Sequence, residues 1–351
     1  MRGIADVARL AGVSKSTASR ALTGAGYVSA DTRERVQRAA AELGYVASTN
    51  AVSLVTGRTR NVGVVMPCVN RWFFAEVLEG IQDSLLDEGL NLTLYDAQPG
   101  TPGRRRIFED FLSRKQFDGL IAVGLEPEDA ELARLRRIGK PVVSIVGGAD
   151  GLSVIALDDD YAARRATDHL IALGHRRILF LGGGAPDGPK VAGSDVERAR
   201  REGYRGAMED AGMGDLAQHV MSRLSLPSGY AAAVDVLGSR DRPTAIVGVC
   251  DEVAIGAIIA ARRLGIQVPN DLSVVGIDDH EYAEMFALTT LRQAPREQGA
   301  TAVRTLLDHL ADPEQPPTVI RARARLVVRN STGPVNPRQS AAVADASLGR
   351  T

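Results

Sequence analysis

Apolar positions recur along this chain at two different periods. In residues 4–11 (IADVARLA), Ile4, Val7, Ala8 and Ala11 fall on one face, which predicts a short amphipathic helix. Gly12-Val13-Ser14 breaks that pattern. Gly12 tolerates a left-handed turn, and Ser14 suits the N-cap of a second helix predicted over 15–22 (KSTASRAL). After a looser stretch with two glycines, Ser29 caps a third predicted helix over 31–43, with Asp31 near the positive end of its dipole. Gly44 ends it. Residues 45–60 (YVASTNAVSLVTGRTR) are small and polar, keep no apolar face, and read as a linker with marginal helix potential near 48–54.

From residue 61 the rhythm changes. Apolar, β-branched runs at 61–67, 90–95, 119–123, 141–146, 153–157, 177–182, 245–249 and 272–277 predict strands, most of them separated by helical stretches. Near-continuous apolar strands alternating with helices indicate parallel sheets covered on both faces. More than 250 residues of this pattern is long for one open sheet, so two lobes are expected. The last segment, 333–351, is small and polar and is expected to be disordered.

Charge sharpens the division. The 351-residue chain is near neutral, at −1, yet residues 1–60 carry nine Lys/Arg against four acids, net +5, leaving −6 for the remainder. A small basic unit on a larger acidic body implies a polyanionic partner for that unit alone. Two cysteines, Cys68 and Cys250, give no framework for disulfides or zinc and suit small buried positions. The opening residues lack a signal-peptide pattern and no run approaches the ~18 apolar residues of a membrane span, so a cytoplasmic protein is expected.

Two short helices joined by a tight glycine-containing turn form the helix-turn-helix pattern, whose second helix enters the major groove. Here its first turns offer Lys15, Ser16, Thr17 and Arg20. Lys and Arg suit the guanine acceptors O6 and N7, and the hydroxyls serve a base or a phosphate. The segments IADVARLAGVSKSTASRAL and YVSADTRERVQRAAAELGY strongly resemble the headpiece of the lactose-repressor (LacI/GalR) family, and the resemblance continues to VVRNST at 327–332. It implies a headpiece over 1–46, a hinge helix or linker over 47–60, and a two-lobed, periplasmic-binding-protein-like α/β body over 61–332.

The resemblance also assigns roles by position. Lys15, Ser16 and Arg20 match base-reading positions, while Thr17 and Ser19 match positions facing phosphate or helix packing. Residues 48–54 match the hinge helix that lies in the minor groove, with Asn50 in its motif and Leu54 at the position wedged between base pairs. Ala47 and Val52 stand where that hinge usually has Pro and Arg, and the lost charge weakens the minor-groove expectation. Two headpieces on a homodimer, or within a tetramer, would read a near-palindromic operator.

In the body the resemblance places an effector at the strand C-terminal ends, between lobes joined by three crossing strands. In CVNRWFF, Arg71 and Trp72 replace the usual Asn and Pro, and Phe73 matches a ring-stacking position. Trp72 suits a sugar's CH face, and Arg71 a hydroxyl or a carboxylate. Asp96, Arg200, Asp251 and Asp278 match other cleft-lining positions, with Gln293 a weaker candidate and Asp158 at a crossover. The implied function is a transcriptional repressor sensing a sugar, a sugar derivative, a purine or another polar metabolite.

Catalysis finds little support. The five histidines are scattered, no GxSxG elbow occurs, GGGAPDG at 182–188 fits no nucleotide fingerprint, and the acids at 158–160 precede a helix, where its dipole favours them. No metal or cofactor is expected. A secreted sugar-binding protein would share the body, but it would need the leader that is missing here and would have no use for the basic headpiece.

Overall fold

The computed structural model describes residues 3–24, 26–45, 57–148, 151–184, 194–239 and 241–336. The headpiece is three helices, α1 (Ile4–Ala11), α2 (Lys15–Thr23) and α3 (Ala30–Leu43). Their ends follow the local chemistry. The Asp6 carboxylate accepts the Gly3 N–H, and the Ser14 and Ser29 hydroxyls accept the N–H of Thr17 and Thr32. These side chains satisfy donors that a helix start leaves orphaned. Gly12, at φ 67°, turns α1 into α2. Val7, Ala8, Ala11, Ala18, Ala21, Val36, Ala39 and Ala40 form its core. Alanine at most of these positions brings the helices close and directs the longer side chains outward.

The body holds two six-stranded sheets. The first contains β1 (Asn61–Met66), β2 (Asn91–Asp96), β3 (Gly119–Val123), β4 (Val142–Ile145), β5 (Ser153–Leu157) and β11 (Val319–Ala322). Their order is β11-β5-β4-β3-β1-β2, and every neighbouring pair is parallel. Val64 joins the core formed with helices α4 (Trp72–Asp87) and α11 (Pro295–Ala311). Val65, one residue on, faces Phe108, Phe117 and Leu135 on the other side, where helices α5 (Pro102–Arg106) and α6 (Asp129–Arg137) lie. Alternate side chains therefore bury both faces, which is why these strands read as unbroken apolar runs.

The second sheet contains β6 (Ile178–Leu181), β7 (Gln218–Val220), β8 (Ala245–Gly248), β9 (Ser273–Asp278), β10 (Thr289–Arg292) and β12 (Arg325–Val327). Its order is β12-β10-β9-β8-β6-β7, with β12 alone antiparallel. Helices α7 (Asp159–Ala172), α8 (Ser194–Asp210), α9 (Leu226–Leu237) and α10 (Asp251–Arg263) cover it. The chain crosses between lobes after β5, after β10, and from β11 to β12, the three crossings the family resemblance implies.

Three expectations need adjustment. Strands β7, β10, β11 and β12 were not predicted, because none is a continuous apolar run and β11 is exposed throughout. The end of the expected linker 47–60 is tied to the body. Asp118, at the start of β3, accepts the N–H groups of Thr59 (2.7 Å) and Arg60 (2.8 Å), which fastens these residues to the first lobe. Residues 333–336 are not a loose tail either. Gly333 N donates to Ser273 Oγ (3.1 Å), Val335 N to Leu173 O (3.1 Å), and His175 Nε2 lies 3.0 Å from Gly333 O. The hinge positions Asn50 and Leu54, and residues 337–351, lie outside the described residues.

Candidate functional site

Two surfaces carry candidate chemistry. The first is the outer face of α2. Ala18 and Ala21 anchor it to the headpiece core, and this fixes which side points away. Lys15, Ser16 and Arg20 are exposed, while Thr17 and Ser19 are half-buried. Ser14 Oγ meets both Ser16 Oγ (2.9 Å) and Thr17 Oγ1 (2.8 Å), a chain of hydroxyls across the helix start. Arg20 is held only lightly, its Nε donating to Ser16 O at 3.3 Å. The exposed donors, on a helix presented by its N-terminal turn, match the geometry that enters a major groove.

The second is a cleft between the lobes, a cavity of about 350 Å³. From the first lobe, Arg71, Trp72 and Phe73 enter at the start of α4, with Glu126 beyond β3. From the second come Arg200 on α8, Glu252 on α10 and Asp278 at the end of β9. Asp159 and Gln293 enter from the crossings. The strand ends thus converge on the gap, as in other open α/β sheets.

Contacts span the cleft. Arg71 Nη2 lies 3.3 Å from Glu252 Oε2, Trp72 packs on His280 with ring centroids 4.9 Å apart, and the Asp195 N–H donates to Glu126 (3.0 Å). Behind them Arg200 is held through two of its three nitrogens. Its Nε donates to Asp159 (2.8 Å), one Nη to Val249 O (2.6 Å), and that same Nη lies 3.7 Å from Asp278 Oδ1. Burial alone would lower its pKa, but the two carboxylates outweigh that and hold the guanidinium charged. Burial pushes the Asp159 carboxyl up, with Arg200 opposing. Asp278 is pushed up by burial too, against Arg200 and the Gln293 amide, whose Nε2 donates to Asp278 Oδ1 at 2.6 Å. Asp278 adopts φ 140°, a conformation non-glycine residues avoid and that surrounding contacts must enforce.

Of the expected effector positions, Arg71, Trp72, Phe73, Arg200 and Asp278 come together here, with Gln293. Asp96 and Asp251 do not line the cavity. Asp96 ends β2, the outer strand of its sheet, and is exposed. Asp251 is fully buried under the Asp278 turn, accepting the His280 N–H (2.8 Å) and the Thr290 hydroxyl (2.6 Å). Burial drives its carboxyl pKa up, and neighbouring Asp278 adds to the rise. A Cβ at Gly276 would collide with this carboxylate, so glycine is required beside it. Asp158 caps α7 through the Tyr161 N–H (3.1 Å). Asp159, Glu252, Glu126 and Asp195 were missed. Both cysteines line the cleft, and burial pushes their thiols up, away from the reactive thiolate.

Residues 3–48 match the family described as bacterial regulatory proteins, lacI family, and 167–332 match a periplasmic binding protein-like domain. The chain is 33% identical over 343 residues to HTH-type transcriptional regulator DegA of Bacillus subtilis, spanning 95% of this chain and 98% of that one. The chain belongs to the LacI family of transcriptional regulators. This LacI-family regulator is also 32% identical over 341 residues to the HTH-type transcriptional repressor PurR of Yersinia pestis, covering 94% and 97% of the two chains. Its fold matches a lac repressor dimer bound to operator and the anti-inducer ONPF, with a TM-score of 0.82 and 26% identity over 95% of this chain and 99% of that one. A ribose-bound LacI-family regulator of Enterococcus faecium gives a TM-score of 0.70 and 26% identity, over 79% and 100%. The curated relatives are regulators and repressors of transcription, not enzymes. No helix among the described residues is long and apolar enough to cross a membrane.

Proposed function

We propose that this LacI-family regulator is a homodimeric repressor, holding a near-palindromic operator through two headpieces until a small polar effector enters the interlobe cleft. Lys15, Ser16 and Arg20 are read as base contacts, Thr17 and Ser19 as supports, and Asn50 and Leu54 as minor-groove contacts from the hinge. One observation carries the reading: the polar face of α2 is open to a partner on the same chain as a cleft walled by both lobes. A ligand touching both walls changes the relative free energy of the two lobe arrangements. Operator affinity follows if only one arrangement suits two headpieces to successive grooves. Trp72 and Phe73 at the mouth, and the likeness to a ribose-bound regulator, support a sugar or sugar derivative.

Footprinting on DNA upstream of its own and neighbouring genes tests this reading. The expected result is protection of two half-sites about 34–36 Å apart, or a multiple of that, weakened by an effector. Absence of sequence-specific protection, with and without a panel of sugars, nucleosides and sugar acids, sinks the proposal.

A further inference from the structure

We infer that the first lobe carries a further DNA-binding surface, at the end from which the headpiece leaves, where Arg114, Lys115, Arg137 and Lys140 hold phosphates of the duplex. This rests on the reading that the headpiece binds duplex DNA. Every neighbouring pair in the first sheet is parallel, so all its strands start at one end of the lobe. Thr59 and Arg60 bring the chain from the headpiece into β1 at that end, tied down by Asp118. Strands β4, β3 and β1 are adjacent in the sheet, and the segments leading into them, 136–141, 113–118 and 58–60, hold seven Lys/Arg and one acid. The acid is Asp118 itself, buried and already engaged. The segments meet: Asn61 Nδ2 donates to Gln116 O (2.7 Å), and a Cβ at Gly139 would lie 3.9 Å from Lys115 Nζ. Exposed acids lie only to either side, Asp87 and Glu88 before β2, Asp312 and Glu314 before β11, so the positive track is confined to the middle strands.

Arg114, Lys115 and Arg137 are exposed and Lys140 is half-buried, and none of the four forms an ion pair with a described residue. Arg137 Nε donates to Ala133 O of its own helix (3.3 Å), and Arg114 lies over the Phe111 ring. A hollow of about 520 Å³ opens beside them between the starts of β4 and β5, walled by Arg136, Lys140, Ser153 and His309, with no Asp or Glu among its described lining. Cations gathered without acids repel one another, and a polyanion relieves that repulsion. The tether decides which polyanion. Tyr45 and Gly57, the described residues on either side of the linker, are 12 positions apart, at most about 40 Å of fully extended chain. The headpiece, and a duplex held on it, is thereby kept at this end of the lobe. The headpiece is itself net positive and a poor partner for these cations, whereas DNA carries one negative charge per ~1.7 Å of its axis. Phosphate contacts carry no base code, so this surface adds affinity and salt sensitivity without adding specificity.

The test is the salt dependence of DNA binding by the full-length protein, followed by fluorescence anisotropy on a footprinted operator fragment and on a nonspecific duplex. A triple variant, Lys115→Gln, Arg137→Gln and Lys140→Gln, is compared with wild type. A control loses the same charge from exposed positions at the crossing between β11 and β12, through Arg321→Gln, Arg323→Gln and Arg325→Gln. Each phosphate contact contributes about −0.9 to the slope of log K against log salt. The first triple is expected to flatten that slope by about one unit or more on both duplexes and to weaken both, with base preference unchanged. The control should keep the wild-type slope. A smaller flattening by the first triple, or an equal one by the control, overturns the inference. If the triple variant melts early, Lys115→Gln alone decides, and it must flatten the slope by at least about half a unit. A wild type that protects no specific sequence would sink the repressor reading and leave the slope on nonspecific duplex to decide this one. A specific footprint with an unchanged slope would sink this surface alone.

Discussion

Arg20 and Arg200 are the same side chain under opposite conditions. Arg20 lies exposed on a helix anchored by two alanines, with one weak backbone contact at 3.3 Å. Arg200 is 6% exposed, with Nε and one Nη turned to two carboxylates and a carbonyl. The first is available to a partner; the second is already part of the protein. In the headpiece, function sits on a small core and can be altered without disturbing it. In the cleft, charges hold the walls together, so binding and stability are the same interactions.

Replacing Arg200 should show this most strongly. Arg200→Ala leaves Asp159 and Asp278 buried without their cation and should cost roughly 3–5 kcal/mol, read by denaturant unfolding. Effector response should be lost in any protein that remains folded. A loss below about 1 kcal/mol would make the cleft pair no more consequential than a surface one.

Asp118 tests the link between the regions. Asp118→Ala strands the N–H groups of Thr59 and Arg60 and should weaken that anchor by about 1.5–3 kcal/mol. Operator affinity should fall while ligand affinity, measured without DNA, stays unchanged. Equal loss of both would mean that Asp118 supports the whole first lobe.

Arg20→Ala should leave unfolding untouched and reduce specific DNA binding by about 1–3 kcal/mol, relaxing preference at one base position. Uniform weakening on all sequences would make Arg20 a phosphate contact.

How legible this was in the sequence depended on how far each side chain's direction is fixed by its neighbours. The headpiece helices match their predicted limits to within one residue, since Ser14, Ser29, Gly12 and Gly44 mark the ends chemically. The buried strands read equally well. In the cleft two of the misses, Asp159 and Glu252, fall one residue from expected positions. Asp158 caps α7 while Asp159 reaches Arg200; Asp251 turns inward while Glu252 meets Arg71. Adjacent residues at a helix start point about 100° apart, and the sequence does not say which faces the gap. Arg71, read alone as a hand for a hydroxyl or a carboxylate, proves to be paired with Glu252. That partner lies 181 residues away and carries no local signal.

The smallest expected effect concerns pH. The headpiece has no histidine, whereas His175 is buried in the second lobe between Thr244, Ser273 and Gly333. Burial holds its pKa below the usual value, with the Gly333 carbonyl opposing. Its stabilisation is therefore complete above the ordinary histidine value near 6.5 and is lost as pH falls through the lower folded value, by less than about 1.4 kcal/mol per pH unit. The stability gap between wild type and His175→Phe should be widest above pH 7 and narrow on acidification. Asp278, raised instead, contributes in the opposite sense: its share is present in acid and lost as pH rises through its elevated value. A constant gap from pH 8 to 5 would contradict the His175 assignment.

Coupling between the exposed and the committed region is the central claim, and reciprocity measures it directly. Once a cleft ligand is found, its affinity is titrated calorimetrically with and without saturating operator DNA. Operator should change that affinity by about 5–150-fold, and the ligand should change operator affinity by the same factor. Identical ligand affinities in the two titrations would show that the cleft and the headpiece act independently, and the account would fail.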